Sequence, residues 1–193
     1  MAVAGFNEHY NIFNQPGRVG MVTFGAMSAY ARAEKDESGL GRAVSTTYEY
    51  NNHKFRIITV YWPYDHRNKA PGKRGDQNTI WHQHRQYYRE QGIQDPNIIQ
   101  LYDNYLFGLV ERWRADGDKV LLLIDANKDV YKGKFARQLA NKKVQLRNVY
   151  SKIHGKKMPG SRAKKPIMGA FASPDVDLLS YFIGNFKLSV GDH

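Results

Sequence analysis

This sequence predicts a mixed α/β domain, on the strength of three stretches. Residues 43–62 read as a strand hairpin, residues 95–117 as a long amphipathic helix, and residues 119–124 as a strand of unbroken aliphatics. The last pattern suits a sheet covered by other layers on both faces. At 193 residues, 41% hydrophobic and 13% aromatic, the chain can bury one core and is read as a single domain over residues 1–193.

Taken in order, the apolar run at 19–24 follows Gly17 and suits a strand. Residues 43–50 alternate with threonine and tyrosine, Asn51 and Asn52 mark a turn, and the β-branched run at 55–62 forms a second, largely buried strand that stops at Pro63. Pro71, Gly72 and Gly75 then punctuate a basic loop holding His66, Arg67, Lys69, Lys73 and Arg74, suited to lie along a phosphate backbone. A helix is expected over 79–91. After it, Asp95 as N-cap and Pro96 in the first turn introduce Ile98, Leu101, Tyr102, Tyr105, Leu109 and Trp113 at helical spacing, up to Gly117. A short helix is expected over 135–141, and 154–165 is a second glycine-rich basic stretch with Lys156, Lys157, Arg162, Lys164 and Lys165. The chain shows no internal repeat and no low-complexity segment.

Composition narrows the chemistry. Without cysteine there is no disulfide framework, thiolate zinc site or cysteine nucleophile, so any metal must sit on oxygen or imidazole. The longest apolar run, 120–124, is far shorter than a bilayer requires, and the start lacks a secretory pattern. A soluble intracellular protein, nuclear or cytoplasmic and without a membrane partner, is expected. Lysine and arginine total 29 against 18 acidic residues, and the formal charge of +11 draws polyanions before any specific contact forms. Nucleic acid is the leading partner class, although many basic proteins bind nothing in particular.

The strongest chemical motif is Ile124-Asp125-Ala126-Asn127 at the end of the aliphatic strand. Residues two apart on a strand project to one face, and the C-terminal ends of strands are where open α/β sheets place ligands. Taken alone the motif is common and suits a loop cap equally well. A second motif, Asp192-His193, follows the apolar run 186–190, which could bring it back beside the first. A carboxylate there can hold magnesium and a protonated imidazole can stabilise phosphoryl charge, though a chance tail would look the same. Trp62, Tyr64 and Trp81 are candidates to stack on bases, but aromatics beside prolines and on helices more often join the core.

In chain order, Tyr61-Trp62-Pro63, the helix to Trp113, the strand to Ile124, Asp125-Ala126-Asn127 and Gly191-Asp192-His193 form a series. It resembles the endonuclease/exonuclease/phosphatase superfamily, whose pattern runs Tyr-x-Pro, Gly-Asp-x-Asn after a helix and strand, and a closing Ser-Asp-His. Ser38-Gly39-Leu40-Gly41-Arg42, the stretch from Asp125 to Val130, and Lys165-Pro166-Ile167 leading to Ser173-Pro174-Asp175 look closest to retroelement endonuclease-like domains.

The resemblance implies a layered α/β sandwich with two β-sheets flanked by helices, DNase I-like, with the family's first and last strands expected to be missing. It implies phosphodiester hydrolysis of nucleic acid, DNA before RNA, with magnesium or manganese. Asp125 would orient or activate the attacking water, Asn127 would position it and the phosphate, Tyr61 would hydrogen-bond the phosphate, and His193 would stabilise the transition state. Asp192 and Glu8 would hold the cation, and Arg67, Lys69, Lys73, Arg74, Lys156, Lys157, Arg162, Lys164 and Lys165 would contact the nucleic acid. Alternatives are a catalytically impaired binding relative and a phosphoesterase acting on a phosphoinositide or small phosphoester.

One departure bears on activity. Met168 stands where the family places the aspartate that orients the catalytic histidine, and a thioether offers only a weak acceptor and no charge. Asp175 and Asp177 are the substitutes the sequence suggests.

Overall fold

The computed structural model describes residues 2–5, 19–63, 80–160 and 165–180. Its strands are β1 (Ala2–Ala4), β2 (Gly20–Val22), β3 (Ala31–Lys35), β4 (Ala43–Tyr50), β5 (His53–Tyr61), β6 (Lys119–Asp125), β7 (Arg147–Asn148) and β8 (Met168–Ala172). Its helices are α1 (Ile80–Glu90), α2 (Ile98–Ala115), α3 (Gly133–Leu139) and α4 (Val149–His154). Among the described residues six strands form one mixed sheet in the order β3-β4-β5-β6-β8-β7, in which only β5 and β6 run parallel. This is the expected α/β class, a sheet flanked by helices. The second sheet among the described residues is just the three-residue pairing of β1 with β2.

A parallel pair needs a crossover, and α1 and α2 supply it between β5 and β6. The buried side of α2, including Tyr102, Leu106, Val110 and Trp113, packs on Ile58, Val60, Val120, Leu122 and Ile124 of the two strands. The helix is capped by Asn97, whose side chain accepts the Gln100 N–H at 3.2 Å. The expected cap, Asp95, lies outside the first turn and is exposed. Pro96 drew the sequence reading two residues too early.

Two burial expectations are corrected. In the hairpin the first strand, β4, is the buried one over six consecutive residues, while β5 is only half-buried. In β6, Val120, Leu122 and Ile124 are buried beneath α2, whereas Leu123 on the other face is 37% exposed. An unbroken aliphatic run marks hydrophobicity on both faces but does not say what covers each. At the β8 side, α4 covers part of that second face through Val149, with Ile153 and Leu121 packed against Ala170 and Ala172. The sequence reading missed α4, although Asn148 caps it by accepting the Ser151 N–H at 2.9 Å and Gly155 ends it in the left-handed region at φ 66°.

The Ser38 to Arg42 motif has a structural cause. The buried Asp36 carboxylate accepts the Ser38 N–H (2.9 Å), the Ser38 hydroxyl (2.6 Å) and the Arg42 N–H (2.9 Å). Gly39 and Gly41 both sit at φ 67°, where a side chain is strained, and Leu40 is fully buried. The loop then presents the Arg42 carbonyl to the Tyr61 N–H (3.0 Å) and the Tyr102 hydroxyl (3.2 Å), fixing the end of β5. Asp36→Ala strands three donors in or near the core and is expected to cost roughly 3 kcal/mol, measured by urea unfolding.

Candidate site at the ends of the parallel strands

Tyr61 and Asp125 are register partners across the parallel β5–β6 ladder, and Met168 is the partner of Asp125 across β6–β8. Partners share a face, so these three side chains stand in a row on the face opposite α2. All three are half-buried.

Asn127 joins them by a route the strand spacing did not foresee. It lies beyond β6 with φ 49°, so the two-residue alternation has already ended. The Asp125 carboxylate instead accepts the Asn127 N–H at 3.1 Å, and the Asn127 amide donates to the Trp62 carbonyl at 2.7 Å. The chain is tied further by Trp62 N–H to the Asp125 carbonyl (2.8 Å), Ala126 N–H to the Ile167 carbonyl (2.7 Å) and Val130 N–H to the Pro166 carbonyl (3.0 Å). Asp125 thus caps a turn and also stands at the strand ends.

Behind this loop, Lys128 stands 3.6 Å from the centroid of the Trp62 ring and 3.4 Å from the buried Asp103 carboxylate. Burial raises the pKa of Asp103, and the Lys128 ammonium opposes the shift. Trp62 is fully buried, with edge-on contacts to Tyr102 (5.1 Å) and Phe135 (5.3 Å), so it is a core residue and is not available to stack on bases. Trp81 is half-buried on α1, and Tyr64 lies outside the described residues.

The remaining expected site residues divide in two. Lys156, Lys157 and Lys165 are exposed, and the last two line one cavity near the loop after β6. Glu8, Arg67, Lys69, Lys73, Arg74, Arg162, Lys164, Asp192 and His193 lie outside the described residues. Among the described residues no cluster of three or more histidine or acidic side chains could hold a metal. Asp125 provides the hard carboxylate oxygen that suits magnesium, which commonly binds one or two carboxylates together with substrate phosphate.

Asp175 does not replace the missing acid beside Met168. β8 runs away from Asp125, and Asp175 lies beyond its far end, where it pairs with Arg114 at 3.1 Å. Partial burial works to raise its pKa, but bonds from Ser173 and Arg114 hold it below the usual carboxylate range. Asp177 is exposed between Val176 and Leu178.

A buried group absent from the sequence reading is His84 on α1. Its side chain is fully buried, and neither ring nitrogen has a hydrogen-bond partner among the described residues. Burial, with a smaller contribution from Arg42, lowers its pKa to about 3. A depressed histidine pKa gives stability that is complete above pH 6.5 and falls as pH drops towards the folded value. Between pH 6.5 and 5 the expected loss is roughly 2 kcal/mol, and His84→Phe should flatten that slope in urea titrations.

No family model matches this sequence, and no curated protein matches it. Solved structures resemble it more distantly. The human Nocturnin catalytic domain, solved with bound sulfate, aligns with a TM-score of 0.43 at 10% identity over 69% of this chain and 42% of that one. Sphingomyelinase C from Streptomyces griseocarneus aligns with a TM-score of 0.33 at 7% identity, covering 69% and 43%. An endonuclease/exonuclease/phosphatase family protein from Leptotrichia buccalis aligns with a TM-score of 0.30 at 14% identity, covering 67% and 41%. The chain therefore spans less than half the length of each of these solved proteins.

Proposed function

We propose that this chain hydrolyses phosphodiester bonds in nucleic acid, DNA before RNA, with a divalent cation. The observation that carries the reading is the meeting of Tyr61, Asp125 and Asn127 at the ends of two adjacent parallel strands, in a chain of charge +11. In this reading the Asp125 carboxylate, oriented by the Asn127 N–H, accepts a proton from the attacking water. The Asn127 amide nitrogen is committed to the Trp62 carbonyl, which leaves its oxygen to orient that water. Tyr61 offers its hydroxyl to a phosphate oxygen from the neighbouring strand. Asp125, Glu8 and Asp192 would hold a magnesium ion, which would supply polarisation of the phosphoryl oxygen and relief of charge on the leaving oxygen. His193 adds a cationic hydrogen-bond donor to the transition state. A retroelement origin and an intracellular location belong to the same reading. No helix of the described residues is long and apolar enough to cross a membrane.

Supercoiled plasmid incubated with the protein and magnesium should be nicked, and chelator should stop the reaction. Plasmid uncut with and without chelator defeats the hydrolytic reading.

A second reading, a nucleic-acid-binding relative without turnover, is favoured by one observation: an uncharged thioether, Met168, stands directly across the ladder from Asp125. Under that reading the native chain binds plasmid without cutting it, and Met168→Asp gains magnesium-dependent nicking.

A further inference from the structure

A cavity of about 300 Å³ opens beside the loop that follows β6. Three separate stretches form it: Asp129, Tyr131 and Lys132 from the loop, Lys157 and Met158 after α4, and Lys165 ahead of β8. Its charges are three ammonium groups and one carboxylate, so the lining is cationic by two.

The frame around these lysines is fixed by buried and half-buried bonds. The Tyr131 hydroxyl accepts the Met158 N–H at 2.8 Å and lies 2.9 Å from the Ser151 hydroxyl and 3.1 Å from the Asn148 side-chain oxygen, pinning the stretch after α4 to the loop. The Val130 N–H bond to the Pro166 carbonyl, at 3.0 Å, pins the approach to β8 to the same loop. Asp129 turns one oxygen to the Tyr131 N–H at 2.9 Å, and the other stands 3.9 Å from the Lys132 ammonium. The ammonium of Lys157 stands 5.8 Å from the Tyr131 ring centroid. Flexible cations on a braced frame suit a tetrahedral anion approached from several sides, for which lysine acts as a point charge.

The position narrows the ligand. Asp129 stands four residues beyond Asp125, a path of at most about 14 Å. Duplex nucleic acid rises roughly 3.4 Å per nucleotide along each strand, so a strand crossing Asp125 presents another phosphate within about four nucleotides of the cleaved one. We propose that this cavity seats one backbone phosphate of a nucleic-acid strand whose cleaved linkage, up to about four nucleotides along, lies at Asp125 and Asn127. The proposal rests on the nucleic-acid reading above and adds to it Lys132, which the sequence did not single out, and a fixed offset between binding and chemistry.

The test compares native protein with Lys132→Gln/Lys157→Gln and with Lys142→Gln/Lys143→Gln, whose lysines line a different cavity. Affinity for a short duplex DNA is measured across a salt series with chelator present. The slope of log affinity against log salt should fall by about 1, the loss of one phosphate contact, in the first variant and stay near the native value in the second. Equal falls in both variants, or none in the first, overturn the cavity assignment and leave nucleic-acid binding standing.

If the native chain binds no DNA, the wider reading fails, and lysine acetylation read by mass spectrometry decides the cavity separately. Protection of Lys132 and Lys157 by inorganic phosphate, but not of Lys142 and Lys143, keeps it as a phosphate site, whereas no protection removes it. Stronger binding to phosphatidylserine-containing vesicles than to DNA, lost in the first variant, overturns the strand assignment in favour of a lipid headgroup.

Discussion

Asp125→Asn is expected to lower magnesium-dependent plasmid nicking by roughly 10³-fold while leaving the fold in place. The two effects separate because the proposed chemistry needs the charge of the carboxylate, whereas the turn needs only an acceptor oxygen. An asparagine oxygen at this position still accepts the Asn127 N–H, so the turn after β6 survives. It carries no charge to attract a cation and is too weak a base to take a proton from water. Initial nicking rates report the first effect, and urea midpoints report the second. Native nicking rates in a folded variant would remove Asp125 from the chemistry and leave it as a turn cap. Asn127→Ala differs, because it also breaks the 2.7 Å bond to the Trp62 carbonyl and should cost about 1 kcal/mol in addition to activity.

Trp62→Ala is expected to cost roughly 4 kcal/mol, close to the whole stability of many domains of this size. The ring is fully buried, meets Tyr102 and Phe135 edge-on, and carries the Lys128 ammonium on its face. Truncation opens a cavity between α2 and α3 and removes that cation's aromatic platform above the buried Asp103. Trp62→Phe keeps most of the packing and discards an indole N–H that has no hydrogen-bond partner among the described residues, so about 1 kcal/mol is expected there. Thermal or urea unfolding at neutral pH distinguishes the pair. A small loss for the alanine variant would mean that the Trp62 pocket collapses readily and does not anchor the strand ends.

Much of the scaffold could be read from the sequence because it rests on local periodicity. The hairpin, the long helix and the aliphatic strand announce themselves through alternation, a 3.6-residue repeat and unbroken β-branched or aliphatic runs. The edge strand β3, the two-residue β7 and the start of β8 carry no such pattern, since short edge strands are specified by the ladder they join. The short helix α4 was hidden by the basic composition downstream, although its Asn148 cap and Gly155 stop were there to be read.

The sequence by itself determined which chemistries are open to this chain: oxygen or imidazole ligands without thiolates, a net charge of +11, and an Asp-x-Asn at the end of a sheet strand. Only the tertiary structure decided which distant residues meet. It set Tyr61 and Met168 on either side of Asp125, sent Asp175 to the far end of β8, buried Trp62, and brought Lys132, Lys157 and Lys165 around one cavity. Residue type and spacing govern what a side chain can do within one element. Strand register and packing between elements govern its neighbours, and a site made from several elements exists only once those are fixed.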